Sequence, residues 1–325
     1  MRTSAPRLAT LAAASLALAL TACGGGSIEE ETQANREAAE AGGCGRLDIA
    51  VNPWVGSEAN AYVVGHVAET RLGCTVNYRE LKEDVSWQGL GTGDVDVILE
   101  EWGHPALEKL YYEGSGDGSA MPFGPTGNVG IIGWYVPPWL AEEHPEVLDW
   151  ENLDDFAEEF ATSESGGRGQ LLGADPSYVQ FDEAIVDNLD LDFKVVFSGS
   201  EAASITAFRQ AERNREFLIG YFYEPQWLFA EMDLQRVALP AYEDGCQDVP
   251  AEVACDYPET ELTKVVSTAW VEEDGPAVGL VERFRWTNED QNLVAKYIAE
   301  DRLSPAEAAE KWVEEHPELV EEWLA

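Results

Sequence analysis

Between residues 46 and 102 the chain alternates strand and helix patterns, and this alternation restricts the fold more than any other feature. RLDIAVN (46–52) is strand-like, and SEANAYVVGHVAETRLG (57–73) has apolar residues at helical spacing, with Ser57 as a cap and Gly73 as a stop. CTVNYREL (74–81) is a second strand, DVSWQGLGTG (84–93) a short helix and turn, and VDVILEEW (95–102) a third strand. A βαβαβ order calls for a parallel sheet covered by helices. On such a sheet a ligand sits beyond the carboxyl ends of the strands. Trp54 follows the first strand and Trp102 the third, so both fall on that edge.

A second unit of the same kind follows the glycine-rich passage 114–118. Val129 to Val136 is strand-like and ends at Pro137 and Pro138; ENLDDFAEEF (151–160) has the pattern of a capped amphipathic helix. A strand is expected within 163–179, a helix over 181–188, a strand over 191–199 and a helix from 201 to about 213. REFLIGYFYEPQW (215–227) is a strand that leaves on Tyr223, Glu224, Pro225, Gln226 and Trp227, again an acid and a Trp past a strand end. Residues 234–240 read as a returning strand, 243–261 as an acidic loop, and the C-terminus as helices over 273–286, 288–300 and 304–324. Ser304, Pro305 and Glu307 form a capping-box start for the last of these.

Two strand-edge surfaces that each carry Trp and Glu suggest a cleft closed from both sides. A methylated ammonium group has no N–H, so hydrogen bonds cannot recognise it, but the face of an aromatic ring can, at roughly 0.5–2 kcal/mol per face once water is excluded. Trp54, Trp102 and Trp227 are the candidate walls. Trp134 is either a wall or the buried face of its strand. Glu101, with Glu100 beside it, and Glu224 are the candidate acids, each alternatively a solvated rim charge. His104, next to Pro105, is a candidate donor to a ligand carboxylate or a surface turn histidine. A betaine, which carries its own carboxylate, would need such donors: backbone N–H groups, a His or a Trp N–H. Of the eleven Trp, Trp139, Trp150, Trp286, Trp312 and Trp323 read as packing residues, and Trp87 as either. The sequence has no phosphate-binding loop, dinucleotide fingerprint, HExxH or GxSxG. No metal site or cofactor is expected, and the chain does not read as an enzyme.

The N-terminus is set apart from the fold. Arg2 and Arg7 precede the short apolar run ATLAAASLALAL (9–20), and LTAC (20–23) closes it, the pattern of an export signal over 1–22. The LTAC ending resembles a bacterial lipobox, which implies lipidation of Cys23, with 23–45 as a flexible tether. Four cysteines remain, Cys44, Cys74, Cys246 and Cys255, and they allow three pairings. Cys44–Cys74, before two neighbouring parallel strands, and Cys246–Cys255, closing an acidic loop, are the pairings favoured. The charge is extreme, 62 acidic against 20 basic residues for a net of -42. It disfavours nucleic acid and anionic lipid as partners and favours cations near the surface. A salty habitat explains it equally well, because salt relieves the self-repulsion.

Several pieces of the chain resemble the substrate-binding proteins of ABC importers for glycine betaine, proline betaine, carnitine and choline. They are DVDVILEEW (94–102), GIIGWYVPPWLAEEHPEVLDWENL (130–153), FSGSEAASITAF (197–208), GYFYEPQWLFAEMDLQRVALP (220–240) and LSPAEAAEKWVEEHPELVEEWL (303–324). The resemblance implies an α/β, two-lobed periplasmic-binding-protein fold of type II, a Venus flytrap with a hinge. Residues 46–126 plus 235–325 would form the first lobe and 127–234 the second. It also implies an aromatic cage of Trp54, Trp102 and Trp227, with Trp134 or Tyr135 and Tyr178 as further walls. Choline binders of the family commonly place an Asp two residues beyond the early Trp, where this chain has Gly56, so Glu101 or Glu224 would supply the charge. Betaine binders often read PHW where this chain has PQW, with Gln226 in place of a His donor; they also carry a first-lobe His farther from its Trp than His104 is from Trp102. The expected protein is a monomeric extracytoplasmic lipoprotein, anchored on the outer face of the cell membrane, that delivers a quaternary ammonium compound to a permease. The alternatives are a receptor of the same fold for a sugar, amino acid or polyamine, and a secreted hydrolase.

Overall fold

The computed structural model describes residues 43–325. The export signal, Cys23 and most of the tether lie outside the described residues. Strands β1 (Arg46–Val51), β2 (Thr75–Glu80) and β3 (Val97–Glu101) are parallel, with β1 between the other two. Leu47, Ile49 and Val51 of β1 enter one core while Ala50 enters another on the opposite face. Burial on both faces is what a parallel sheet covered by helices requires. Helix α1 (Val55–Val67) starts directly after Trp54, so β1 and α1 together fix Trp54 at the carboxyl edge of the sheet.

Among the described residues the nine strands join in one sheet with the order β2-β1-β3-β9-β4-β7-β5-β6, and β8 (Gln235–Arg236) pairs with β4 outside that path. The 17-residue β4 (Ala120–Val136) connects the halves. Its first part pairs antiparallel with β9 (Glu259–Ser267), and residues Ile131–Tyr135 pair with β7 (Ile219–Glu224). The register of β4 against β9 shifts twice, between Pro122 and Pro125 and between Pro125 and Val129. The chain thus crosses between lobes on two strands. β5 (Gly169–Gly173) and β6 (Phe193–Phe197) complete the second lobe in parallel with β7.

Some expectations are corrected. Beyond the boundary expected at 235, Val237, Leu239, Val253, Cys255 and Tyr257 pack in a core that holds Leu171, Phe193 and Ile219 together with Trp54 and Trp102. The chain returns to the first lobe only through β9. That strand replaces the end of the acidic loop, and Lys264 had disguised it. Lys264 stands on the buried face, where it donates to the carbonyls of Glu282 (3.0 Å) and Phe284 (2.8 Å), so the apolar alternation is broken. Residues 151–160 form a 3-10 turn, Trp150–Phe156, instead of an α-helix. The Trp150 N–H donates to the Ala238 carbonyl, and Asp149 forms a bridge with Ala238, so the segment is pinned before a longer helix can start. The helix expected over 304–324 is two, Pro305–Glu315 and Pro317–Leu324. Pro317 has no N–H to continue the first and disfavours helical backbone at His316. The first of the two carries the expected Ser304–Glu307 capping box.

Both favoured disulfides form, Cys44–Cys74 and Cys246–Cys255. The first ties the start of β1 to the start of β2, and the second closes the acidic loop.

Candidate functional site

Where the two lobes meet, five aromatic rings surround a small cavity. Trp54 and Trp102 come from the first lobe; Tyr178, Tyr221 and Tyr223 come from the second. Trp54 meets Tyr178 edge to face with centroids 5.4 Å apart, and Trp102 meets Tyr223 in the same way at 5.5 Å. Tyr178 lies 6.4 Å from both Tyr221 and Tyr223, which links the two pairs. Tyr221 and Tyr223 share one face of β7 because strand side chains alternate. Glu83, His104, Ile132 and Val179 complete the wall. The empty space among these groups and at their mouth, open solvent included, is about 300 Å³.

Behind the two indoles lies the buried carboxylate of Glu100. The N–H groups of Trp54 (2.8 Å) and Trp102 (3.0 Å) both donate to its Oε1. Its Oε2 accepts from Asn60 at 2.6 Å and Gln291 at 3.1 Å. Burial pushes the Glu100 carboxyl up to about 7, against the stabilising effect of the indole donors. Gly56 is explained by the same group. A Cβ there would stand 2.4 Å from the Gln291 amide nitrogen and 3.1 Å from the Glu100 carboxylate. The acid that the resemblance places at 56 therefore has no room, and Glu100 occupies that neighbourhood instead.

Glu101 points elsewhere. Its Oε1 accepts the backbone N–H of Gly103 and of His104, both at 2.8 Å, and lies 3.1 Å from His104 Nδ1; its Oε2 accepts from Thr263. Burial opposes ionisation of Glu101, but these bonds and the histidine charge hold it below the usual carboxylate range. Glu83 approaches His104 Nδ1 at 3.3 Å. Burial alone would lower His104; Glu83 and Glu101 outweigh it and raise the ring to about 9, so His104 is an imidazolium held between two acids.

Three hydrogen bonds beside the cavity fix the lobes against each other. The Tyr178 hydroxyl donates to the Pro53 carbonyl, and the Val179 N–H donates to Glu83. Glu201, at the start of helix Glu201–Asn214, accepts the Val55 N–H on Oε2 at 3.0 Å, while its Oε1 accepts from the Tyr223 hydroxyl and from Gln226. Helix α1 has no side-chain cap of its own, so this second-lobe carboxylate takes that place.

Of the residues expected at the site, Trp54, Trp102, Tyr178 and His104 line the cavity, and Glu101 stands one layer out, on His104. Trp134, Trp227 and Glu224 do not line it. Trp134 lies on β4 opposite Tyr221, with its N–H donated to Asp182 at 2.8 Å, so it supports the cage from below. Trp227 is buried on the other face of β7, among Val55, Tyr135, Phe222 and Leu228, with the Arg209 guanidinium 5.0 Å above its ring. Glu224 is half-buried at the end of β7, where burial raises it against the pull of Arg236. Glu83, Tyr221 and Tyr223 went unrecognised as walls. The alternation in GYFYEP, which puts two Tyr on one strand face at the ligand edge, was a signal for the last two. Among the described residues, no group of three or more His, Cys, Asp or Glu is arranged to hold a metal.

Known proteins resemble this chain in sequence and fold. A glycine betaine/carnitine transport binding protein of Listeria monocytogenes is 27% identical over 137 residues, which span 42% of this chain and 41% of the relative. Three solved structures share the fold. Lactococcal OpuAC, in a closed form complexed with glycine betaine, is 21% identical with a TM-score of 0.68 over 86% of this chain and 99% of its own. An ABC-transporter choline binding protein in complex with choline is 20% identical with a TM-score of 0.69 over 86% and 92%. A glycine betaine/L-proline-binding protein from Borrelia burgdorferi is 18% identical, also with a TM-score of 0.69, over 86% and 97%. The family model for the substrate binding domain of ABC-type glycine betaine transport systems matches residues 45–315, and the chain belongs to that family of solute-binding proteins.

Proposed function

We propose that this protein captures a quaternary ammonium compound between its lobes, outside the cytoplasm, and passes it to the membrane-spanning permease of an ABC importer. The observation that carries this reading is the ring of five aromatic side chains contributed by both lobes, with the Glu100 carboxylate behind two of them. Such faces attract a methylated cation at roughly 0.5–2 kcal/mol each when water is excluded, and closure of the lobes excludes it. The anchor in this reading is a lipid on Cys23, with the residues that follow it as a tether to the membrane; mass spectrometry of the mature N-terminus tests that point separately. The cation reading is tested by calorimetry with tetramethylammonium, choline, carnitine, glycine betaine and proline betaine. Saturable binding of at least one, lost on substitution of Trp102, is the expected result. Failure of all five at millimolar concentration would sink it.

A further inference from the structure

In this cage both indole N–H groups and two of the three tyrosine hydroxyls are already committed. Both indole N–H groups of the cage converge on one oxygen of Glu100, and the other oxygen is held by Asn60 and Gln291. A solute carboxylate entering the cage finds neither indole N–H available. The hydroxyls of Tyr178 and Tyr223 are likewise committed, to Pro53 and Glu201. Among the described residues, no Lys or Arg lines the cavity. Its charged donor, the His104 ring, is flanked on Nδ1 by Glu83 at 3.3 Å and Glu101 at 3.1 Å. A ligand carboxylate placed at His104 therefore meets Glu83, which itself lines the cavity. The acids around the cage thus number four, Glu83, Glu100, Glu101 and Glu201, against one imidazolium. A trimethylammonium group gains from this arrangement. A zwitterion gains at its nitrogen and loses at its carboxylate, because like charges repel and a buried carboxylate without donors is costly.

Resting on the quaternary ammonium reading above, we propose that Glu100 is a specificity-determining residue. By holding the indole N–H groups of Trp54 and Trp102 on a carboxylate, it turns the cage toward quaternary ammonium cations that carry no carboxylate, of the choline type, and against betaines. Gly56 is part of the same device, since only a residue without Cβ leaves the Glu100 and Gln291 side chains in place.

The test is calorimetric titration of the full chain with choline, tetramethylammonium and glycine betaine, in the native protein and in Glu100→Gln. The native protein is expected to bind choline and tetramethylammonium about tenfold or more tighter than glycine betaine. In Glu100→Gln that ratio should fall about fivefold or more, because the amide removes the charge and no longer offers two acceptors. Glycine betaine bound as tightly as choline by the native protein overturns the proposal, and so does an unchanged ratio in the variant. If the variant does not fold, the native protein decides through pH. The ratio should fall severalfold between about pH 8 and about pH 6 as Glu100 gains a proton, and a constant ratio overturns the proposal. The other groups facing the cage are accounted for in that window: His104 stays charged, Glu101 stays ionised, and protonation of Glu83 or Glu201 would act in the same direction, so a second variant, Glu201→Gln, which leaves both indole N–H groups on Glu100, should keep the fall. Silence with all three compounds overturns the transport reading itself and is distinguished from a reversed preference, which overturns only the selectivity.

Discussion

The hydroxyl of Tyr178 donates to the backbone carbonyl of Pro53 at 2.9 Å, one residue before the Trp54 ring that Tyr178 meets edge to face. One side chain therefore serves as a wall of the cage and as a fastening between lobes. Ligand contact and closure are coupled through it, since a lobe that opens takes the wall away.

Tyr178→Phe separates the two roles, keeping the ring and removing the donor. A neutral hydrogen bond contributes about 0.5–1.5 kcal/mol net, so ligand affinity should fall by about twofold to tenfold while the unliganded melting temperature barely moves. Calorimetry and a thermal melt read both. An affinity equal to that of the native protein would mean that this bond does not stabilise closure.

Trp102 and Trp227 should respond in opposite ways. Trp102→Ala removes a cage face and a donor to Glu100, and ligand affinity should drop by about 2 kcal/mol or more, roughly thirtyfold. Trp227→Phe keeps an aromatic ring in a core that does not touch the cavity; it should lower stability by about 1–2 kcal/mol and leave affinity within about threefold. A large affinity loss in Trp227→Phe would bring that residue back to the ligand.

The Cys44–Cys74 bond joins the beginning of the fold to the edge strand β2 across a separation of 30 residues. Closing a loop of that size restricts the unfolded chain by about 3–4 kcal/mol in the chain-entropy description. Replacing both cysteines by serine should reduce unfolding free energy by about that amount in denaturant titrations. Ligand selectivity should survive, because neither cysteine approaches the cage.

The parts of this site that the sequence reveals are those set by backbone periodicity. Trp54 and Trp102 were legible because a parallel sheet brings the ends of β1 and β3 to one edge, and their positions follow from the strand lengths alone. The place of Trp227 was not legible, because it lies just past the end of β7, in a turn that folds back onto the face opposite Tyr223. Strand alternation stops at Glu224 and cannot say which way the next residues turn. Glu100 illustrates a different limit. Its neighbours Asn60 and Gln291 are 40 and 191 positions away along the chain. No local pattern distinguishes such an acid from the solvated carboxylates that dominate a chain with 62 of them. β9 escaped notice because a lysine occupied a core position, satisfied there by two carbonyls that only the tertiary fold supplies.

Stability and cation affinity should depend on pH in opposite directions. Burial raises Glu100 and Asp96 to about 7 and Asp182 to about 6, each above its unfolded value. An acid raised by folding contributes stability below its unfolded pKa and loses it as pH rises through the folded one. The unliganded melting temperature should therefore decline from about pH 5 to about pH 8. A bound cation favours ionised Glu100, so choline affinity should be full above about 7 and weaken as pH drops below it. Glu100→Gln should flatten the affinity profile and remove only part of the stability slope. Parallel slopes in the native protein would show that Glu100 does not titrate beneath the cage.

Glu201 gives the sharpest test of closure. It stands on the second lobe, yet one oxygen accepts the Val55 N–H at the uncapped start of α1 in the first. Its other oxygen holds the hydroxyl of Tyr223, a cage wall, and the Gln226 amide. Burial raises the Glu201 carboxyl, which outweighs the hydrogen bonds from Tyr223 and Gln226, so closure desolvates an acid and recovers part of that cost at a helix N-terminus. Glu201→Ala removes the acceptor for Val55 and frees the Tyr223 hydroxyl at once. Hydrogen bonds to charged groups contribute about 1.5–3 kcal/mol, and ligand affinity should fall by roughly tenfold to a hundredfold. Small-angle scattering of the ligand-saturated variant should show a larger radius than the saturated native protein, because the loss falls on the closed state. A variant that closes fully on ligand would instead show that Glu201 only positions Tyr223, and the affinity lost would then belong to the cage alone.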